Sequence, residues 1–342
     1  MFIKMKVLLR LILPIICLYS CSDIVEDHET FKYDTEVIAV FTPNGIGDQS
    51  KAGLIYKGIV RATDSHGLAF RPIFPHTYEE GAETIAQLAG ADQKGRKRLI
   101  ISTDPEYSDY LNGIASKGQI VDSDSTKLLV LDGDFIHPDV YTAYVPFYGL
   151  MYKAGYIASK MSDVNNARIY IVNNKYRYMR EGRDGFIKAF TQGKEQDVDV
   201  VDFSLICEDY MDGFNRSTLV YIYDAPECSD NYDMVLPLCG ETIMGFLRYN
   251  REFPGNFYTI GVENDMSIYS SDVPFSCVEH LDKVVSACIT DWTDNRLEHF
   301  RTFGLEDNWV ELVISGNYRT LLEPLSQEIH NQAIEMEATY AN

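Results

Sequence analysis

The stretch VIAVFTPNGIGDQSKAGLIYKGIV, residues 37–60, joins an apolar run to an amphipathic segment through a turn that contains Gly45 and Gly47. An apolar strand, a glycine turn and a helix form the repeating unit of a parallel α/β sheet. Such turns lie at the carboxyl ends of the strands, where they expose backbone N–H groups to ligands. The stretch therefore predicts a strand, a ligand-facing loop and a helix.

This alternation of apolar runs and helical patterns recurs along the chain in two series. Apolar runs of the first series lie at residues 37–43, 68–75, 98–103, 127–133 and 142–147, and those of the second lie at 167–174, 197–206, 233–239 and 256–264. Uniformly apolar strands between helices indicate parallel sheets that are covered on both faces. We therefore predict two α/β lobes, because about 306 residues exceed what one core usually organises.

The start of the chain has the pattern of a bacterial secretory signal. Three basic residues precede an apolar core at 11–18, which is followed by Ser20 and Cys21. This core is shorter than the ~20 residues that span a bilayer as a helix. Because LYSC resembles a lipobox, we expect residues 1–20 to be removed and Cys21 to carry lipid. A cleaved signal with an incidental cysteine is the alternative.

The residues after this signal predict an anchored domain in the bacterial cell envelope. Residues 21–36 are polar, acidic and aperiodic, as in a flexible tether. Ser22 resembles an outer-membrane sorting signal, so we expect the outer membrane rather than the inner. Removal of residues 1–20 takes away three cations and no acid, so the formal net charge changes from −21 to −24. The lipid, rather than charge, would therefore hold the protein at a membrane.

Charge and motif content argue against several functional classes. Nucleic acids are bound by clustered Lys and Arg, and the only such cluster after the signal, at 94–98, lies between predicted elements. The glycines at 45–53 are spaced GxGxxxxxG, which is not a dinucleotide motif, and GADQKGRK at 90–97 lacks the P-loop lysine and hydroxyl residue. Catalytic motifs such as GxSxG and HExxH are absent. We expect no catalysis, no cofactor, no metal site and no nucleic-acid partner.

The cysteines beyond Cys21 match no zinc-binding spacing and are interpreted as buried thiols. An odd number leaves at least one of them unpaired in an oxidising compartment, and any pairing stays open. They are Cys207, Cys228, Cys239, Cys277 and Cys288.

Several segments resemble, in order, the basic membrane protein (BMP) family of Med-like lipoproteins. The matching phrases, which cover most of residues 37–295, are VIAVFTPNGIGDQSKAGLIYKGI, YKAGYIASKMSDVNNARIYIVNN, GRDGFIKAF, VLPLCG, YTIGVEND and SCVEHLDKVVSACI. The resemblance implies a substrate-binding protein that delivers purine nucleosides to an ABC transporter. It also implies a type I periplasmic-binding fold, in which crossing strands join two Rossmann-like lobes at a hinge.

The predicted division of the chain follows from these elements. We expect lobe one to comprise residues 37–145 plus 274–296 and lobe two to comprise 146–273 plus 297–325, with a helical tail at 326–342. Loops after the predicted strands, together with the family match, supply the candidate ligand contacts. These are Asn44, Asp48, Ser50, Asp104, Tyr107, Asn173, Asn174, Gly240, Glu241, Glu263 and Glu279. Tyr176, Tyr178 and Phe147 are further candidates, and Arg177 and Arg180 are each expected either to contact a ligand or to neutralise acids opposite.

The resemblance weakens at the residues that would set ligand specificity. Lys51 and Ala52 stand where the family has a base-stacking ring and an asparagine, Glu263 replaces an aspartate that grips ribose, and Glu279 replaces a lysine. A site built for one hydrogen-bond pattern rejects another. A standard purine nucleoside is therefore not the expected ligand. A carboxylate-rich cleft suits a hydroxyl-rich or cationic molecule and disfavours a phosphate.

The sequence thus predicts a lipid-anchored solute-binding protein that captures a small polar molecule, nucleoside-like or otherwise hydroxylated, and serves an ABC permease. A surface receptor or sensor on the same scaffold, without transport, is the alternative. An enzyme ranks third.

Overall fold

The chain begins its described part at β1, the strand that the opening apolar run predicts. This computed structural model describes residues 35–43, 45–46, 51–90, 96–133, 136–192, 197–207 and 210–340. The predicted signal, Cys21 and most of the predicted tether lie outside these residues, but Thr35 and Glu36 are already part of β1. Residues 35–342 form one compact unit.

A six-stranded parallel sheet forms the centre of lobe one, in the order β12-β5-β4-β3-β1-β2. Its central strands are fully buried because their apolar side chains face helices on both sides. The strands are β1 (Thr35–Val40), β2 (Ala69–Ile73), β3 (Lys97–Ser102), β4 (Thr126–Leu131), β5 (Tyr141–Tyr144) and β12 (Phe300–Thr302). The helices are α1 (Lys51–His66), α2 (Tyr78–Gly90), α3 (Tyr107–Ala115) and α9 (Leu281–Thr293).

Lobe two contains a four-stranded parallel sheet, in the order β7-β6-β8-β9, and a three-stranded sheet in the order β10-β11-β13. The strands are β6 (Asn166–Ile171), β7 (Asp197–Asp202), β8 (Met234–Leu238), β9 (Tyr258–Thr259), β10 (Gly261–Glu263), β11 (Phe275–Glu279) and β13 (Val310–Ile314). The helices are α4 (Tyr148–Met161), α5 (Arg177–Phe190), α6 (Ser217–Leu219), α7 (Ala225–Asn231), α8 (Ile243–Glu252) and α10 (Arg319–Tyr340). A π-helical turn, Val220–Asp224, joins α6 to α7. Among the described residues, no helix is long and apolar enough to cross a membrane.

Three segments of the chain pass between the two lobes. Residues 145–147 lead from β5 into α4, His280 leads from β11 into α9, and residues 303–309 lead from β12 into β13. β11 pairs with β10 and β13, whereas α9, which follows it, packs on α1 of lobe one. Within the described residues, these passages are the covalent links between the lobes, so they must deform if the lobes move as rigid bodies.

The lobe boundaries differ from the predicted ones in two places. β11 pairs within lobe two, although the prediction gave residues 274–296 to lobe one, and β12 pairs with β5 of lobe one, although the prediction gave 297–325 to lobe two. Both are short strands whose partners are distant in sequence, so local patterns do not reveal the pairing. The predicted tail from residue 326 is part of α10, which packs on α4.

Candidate ligand-binding site

A cavity of about 330 Å³ lies between the lobes, at the carboxyl ends of β1, β3, β4, β6, β8 and β10. This is where ligands bind in doubly wound sheets, and the volume lies within the range of small-molecule pockets. Lobe one contributes Thr42, Lys51, Tyr78, Asp104 and Asp132 to the wall, and lobe two contributes Tyr176, Tyr178, Phe214, Gly240, Glu241 and Glu263.

A chain of ion pairs crosses the inner side of the cavity. Nζ of Lys51, the first residue of α1, lies 2.8 Å from Glu279 Oε2 and 3.4 Å from Asp132 Oδ2. Arg177 Nη2 lies 3.1 Å from Asp132 Oδ1, and Arg177 Nη1 lies 2.8 Å from Glu181 Oε1. The two cations are therefore engaged by three carboxylates of the protein, and they bring both lobes into contact.

Burial and neighbouring charge act in opposite directions on this network. Burial lowers the pKa of Lys51, but the carboxylates of Glu279, Asp132 and Glu263 outweigh it, so the pKa lies above its ordinary value. Burial raises the pKa of Glu279, and Lys51 opposes that rise. At neutral pH the ammonium stays charged and supplies the counter-charge for a glutamate side chain that is only 1% exposed.

Lys51 also contacts an aromatic ring of the cavity wall. Its Nζ lies 3.9 Å from the centroid of the Tyr178 ring and 5.9 Å from that of Phe147. An ammonium over an aromatic face is stabilised by the quadrupole of the ring. At residue 51 the family resemblance implies a base-stacking ring, but this chain has a lysine there. Its ammonium already covers one face of the Tyr178 ring.

Two partly buried carboxylates line the cavity without an ion pair to any described residue, and the charge of Lys51 opposes the effect of burial on both. Asp104 accepts hydrogen bonds from Tyr78 Oη at 3.1 Å and from the N–H of Glu106 at 2.9 Å. Glu263 has a backbone φ of 68°, in the left-handed region, and its carboxylate accepts from the backbone N–H of Lys51. Burial raises the pKa of both carboxyl groups above their ordinary values.

The structure brings together four of the predicted contact residues. Asp104, Gly240, Glu241 and Glu263 all line the cavity. Glu241 is exposed at its rim. Of the further candidates, Tyr176 and Tyr178 line the same cavity and Phe147 does not. Arg177 pairs with Asp132 and Glu181, whereas Arg180 donates to the backbone carbonyl of Asn174.

The other predicted residues lie elsewhere. Tyr107 is fully buried behind the wall and donates to Phe41 O at 2.8 Å, because the first turn of α3 faces the core. Glu279 lies beneath the wall, paired with Lys51. Asn173 lines a neighbouring cavity of about 340 Å³, and Asn174, which is exposed, lines neither. Asn44, Asp48 and Ser50 lie outside the described residues.

The sequence-based prediction missed several residues of the wall, among them Tyr78, Asp132 and Phe214. Tyr78 opens α2, and its ring lies edge-on to that of Tyr107 with centroids 5.2 Å apart. Asp132 directly follows β4, as a strand-end acid before Gly133, which is the same signal that identified Asp104. Phe214 lies in a 3-10 turn, Tyr210–Asn215, and its sequence gives no comparable signal.

The cysteines and possible metal ligands take no part in this site. Cys207, Cys228, Cys239, Cys277 and Cys288 are free thiols, and all but Cys207 are buried. Burial raises the pKa of the Cys277 and Cys288 thiols, which favours the unreactive protonated form. Within the described part of the chain, no cluster of His, Cys, Asp and Glu could hold a metal ion.

Comparison with protein families gives a match over almost the whole described chain. The family model of PnrA-like ABC transporter substrate-binding proteins (Bmp) matches residues 35–341. Its members are substrate-binding proteins and not enzymes. The comparison with curated proteins gives no match.

Solved structures with a similar fold include solute-binding proteins of ABC transporters. One from Aeropyrum pernix K1 has a TM-score of 0.66 at 14% identity, covering 89% of this chain and 85% of that chain. A transcriptional activator of the comK gene from Bacillus halodurans has a TM-score of 0.64 at 13% identity, with coverages of 90% and 98%. A third, from Agrobacterium vitis with bound allitol, has a TM-score of 0.59 at 10% identity, with coverages of 86% and 100%. These likenesses confirm the predicted α/β, type I periplasmic-binding fold.

Proposed function

The chain belongs to the family of PnrA-like ABC transporter substrate-binding proteins, and from this membership we propose that it captures a small hydroxylated solute, nucleoside-like or sugar-like, between its lobes. The observation that carries this proposal is the wall of the interlobe cavity, where acceptor carboxylates alternate with aromatic rings. Carboxylates accept hydrogen bonds from hydroxyl groups, and aromatic rings pack against the apolar face of a sugar or a base.

Capture would proceed by closure of the lobes around the solute. Asp104 and Tyr78 contact it from lobe one, while Tyr176 and Glu263 contact it from lobe two. A ligand that contacts both lobes at once stabilises the closed state relative to the open one, so it shifts the population between them. The three passages between the lobes would act as the hinge. No bond is made or broken in the solute, which is then released to an ABC permease.

Residue 51 is a lysine where the family resemblance implies an aromatic ring. This difference favours a solute other than a standard purine nucleoside. The Lys51 ammonium lies against Tyr178 and is held there by Glu279 and Asp132. A base stacked at this position would have to displace a paired, buried cation. The polyol in the structure of the Agrobacterium vitis protein is one example of a hydroxylated ligand that this fold accommodates.

A thermal-shift screen tests the proposal on the chain that lacks residues 1–21. Nucleosides, sugars and polyols are tested one at a time. A specific ligand at 100 times its Kd adds about 2.7 kcal/mol to the free energy of unfolding, so we expect a clear rise in Tm for at least one of them. If every member of the three panels leaves the Tm unchanged, the proposed ligand class is wrong.

We further propose that Cys21 is lipidated and anchors the protein in the cell envelope, most simply at the outer membrane. The support is the signal-like segment at 1–20 and the lipobox-like LYSC that ends it. Labelling of cells with radioactive palmitate should mark the wild-type protein and not the Cys21→Ala variant. Equal labelling of the two, or none of either, contradicts the anchor.

A further inference from the structure

We propose that the interlobe cavity selects solutes that carry a protonated amine, which Asp104 and Glu263 hold as counter-charges. This inference rests on the proposed function and narrows the class of solute to hydroxylated amines, such as amino sugars or amino-nucleosides. Its basis is the way in which charges are distributed between the wall and the layer behind it.

Among the described residues, the cations at the cavity are already neutralised by the protein. Lys51 is the only basic residue that lines it, and its ammonium pairs with Glu279 and Asp132. Arg177, in the layer behind, pairs with Asp132 and Glu181. Each cation is thus already held by two carboxylates of the protein, and the Lys51 ammonium only partly opposes the rise that burial causes in the pKa of Asp104 and Glu263. An anionic solute would have to compete with these carboxylates for either cation.

Asp104 of lobe one and Glu263 of lobe two both line the cavity and are partly buried. Neither forms an ion pair with a Lys, Arg or His of the described chain, and the Lys51 ammonium, which is paired elsewhere, lowers the pKa of both only in part against burial. Their hydrogen-bond donors are a tyrosine hydroxyl and backbone N–H groups, which carry no full charge. A partly buried carboxylate is stabilised by a cation within hydrogen-bond distance, and a protonated amine on the solute supplies one.

The Tyr178 hydroxyl adds a polar group to this wall. Tyr178 is 9% exposed and lines the cavity. Burial, together with the carboxylates of Glu263, Glu279 and Asp104, raises the pKa of this phenol well above its ordinary value, so it stays protonated.

The cavity already contains an example of how it would bind an ammonium group. Nζ of Lys51 is held by two carboxylates and one aromatic face. The remaining carboxylates share the cavity wall with the rings of Tyr78, Tyr176 and Phe214, and Asp104 accepts a hydrogen bond from the first of these. Carboxylates and aromatic faces together form the usual environment for organic cations, whereas a phosphate or carboxylate on the solute would meet like charge.

Matched pairs of ligands that differ by one charge test the inference. Glucosamine is compared with glucose, and 5′-amino-5′-deoxyadenosine with adenosine, by titration calorimetry of the chain lacking residues 1–21 at pH 7. We expect the amine of at least one pair to bind at least tenfold more tightly than its neutral partner. We also expect that advantage to shrink as NaCl is raised, because salt screens charge.

Two variants and a control locate the counter-charges. Asp104→Asn and Glu263→Gln should each reduce the preference for the amine, measured as the ratio of the two Kd values, to threefold or less. Any loss of binding common to both partners cancels in that ratio. Glu83→Gln removes the same charge at an exposed position of α2 that does not line the cavity, and should leave the preference intact. Circular dichroism shows whether each variant folds. If one of the two misfolds, the other still tests whether a carboxylate of the wall holds the amine.

Each result supports or overturns one of the two proposals. Equal binding within both pairs overturns the amine inference but leaves solute binding standing. Preference for the amine that survives both variants overturns the assignment to Asp104 and Glu263. If no compound of these pairs or of the thermal-shift panels binds, the proposed function itself is wrong.

Discussion

Replacement of Lys51 by methionine should show how much the buried Glu279 carboxylate lowers the free energy of unfolding once its cation partner is removed. Methionine keeps an unbranched apolar chain beside Tyr178 but removes the ammonium that lies 2.8 Å from Glu279 Oε2. Neither carboxylate oxygen of Glu279 has another hydrogen-bond partner among the described residues. Removing one partner of a buried ion pair typically costs about 3–5 kcal/mol.

Protonation of Glu279 sets an upper limit on that cost. A carboxyl group with an ordinary pKa of 4.5 can be kept neutral at pH 7 for about 3.4 kcal/mol, since each pH unit corresponds to about 1.36 kcal/mol. At pH 5 the same neutralisation costs about 0.7 kcal/mol. We therefore expect Lys51→Met to lower the free energy of unfolding by about 3 kcal/mol at pH 7 and by about 1 kcal/mol at pH 5.

The sign of this pH dependence follows from proton binding. In the variant, folded Glu279 has a raised pKa, so the folded state binds more protons than the unfolded state between pH 4.5 and that raised value. The free energy of unfolding therefore falls as the pH rises through this window. Urea unfolding at pH 5 and pH 7, with wild type measured alongside, gives the difference directly.

A matched control and a rescue complete this experiment. Arg61 lies on the same helix and pairs with Asp282 at 3.2 Å, but its side chain is 63% exposed, so Arg61→Met should cost less than about 1 kcal/mol. Adding Glu279→Gln to Lys51→Met removes the buried charge and should restore most of the loss. A loss below about 1 kcal/mol at pH 7, or the absence of rescue, would refute the reasoning.

Two further predictions concern packing and titration away from the cavity. Burial raises the pKa of Glu337 from 4.5 to about 7, and its Oε1 accepts from Leu305 N at 3.0 Å, so the proton that this carboxyl retains makes the fold more stable below pH 7. Thermal melts of Glu337→Gln, which keeps an acceptor but cannot titrate, should change less between pH 5 and pH 7.5 than those of wild type, and an equal change contradicts this. A Cβ at Gly58 would lie 2.3 Å from Asp282 O, between α1 and α9, so Gly58→Ala should cost about 1–3 kcal/mol in urea unfolding. Gly113→Ala in α3, with no atom within 4 Å of the new methyl group, should be neutral or stabilising by up to about 1 kcal/mol, and equal losses in the two variants would contradict the packing argument.

Much of the site follows from strand order alone. Asp104, Gly240 and Glu263 lie at the ends of apolar runs that the sequence identifies as parallel strands. Parallel strands bring their carboxyl ends to one edge of a sheet, so these residues converge whatever the details of packing. The same rule identifies Asp132, which the sequence-based prediction overlooked.

Residues at the starts of helices could not be assigned in the same way. Tyr107 and Tyr78 each open a helix, but Tyr107 turns into the core and Tyr78 faces the cavity. Which of the two rings faces the cavity depends on how α2 and α3 pack on the sheet. Neither the residue types nor their periodicity determines that packing. The pairing of Lys51 with Glu279 joins residues on two lobes, far apart in the chain, and is equally invisible to local patterns.

The two departures at residues 51 and 279 act as one change. The family resemblance implies a ring at the first position and a lysine at the second, and here a lysine and a glutamate stand there instead. Because these side chains lie 2.8 Å apart, the cation stands in the first turn of α1 rather than at the end of β11, and the carboxylate at residue 279 pairs with it. The glutamate without the lysine would be a buried charge without a cation partner. The inner layer thus holds two cations, Lys51 and Arg177, against three carboxylates, and Asp104 and Glu263 add further negative charge at the wall that a solute meets.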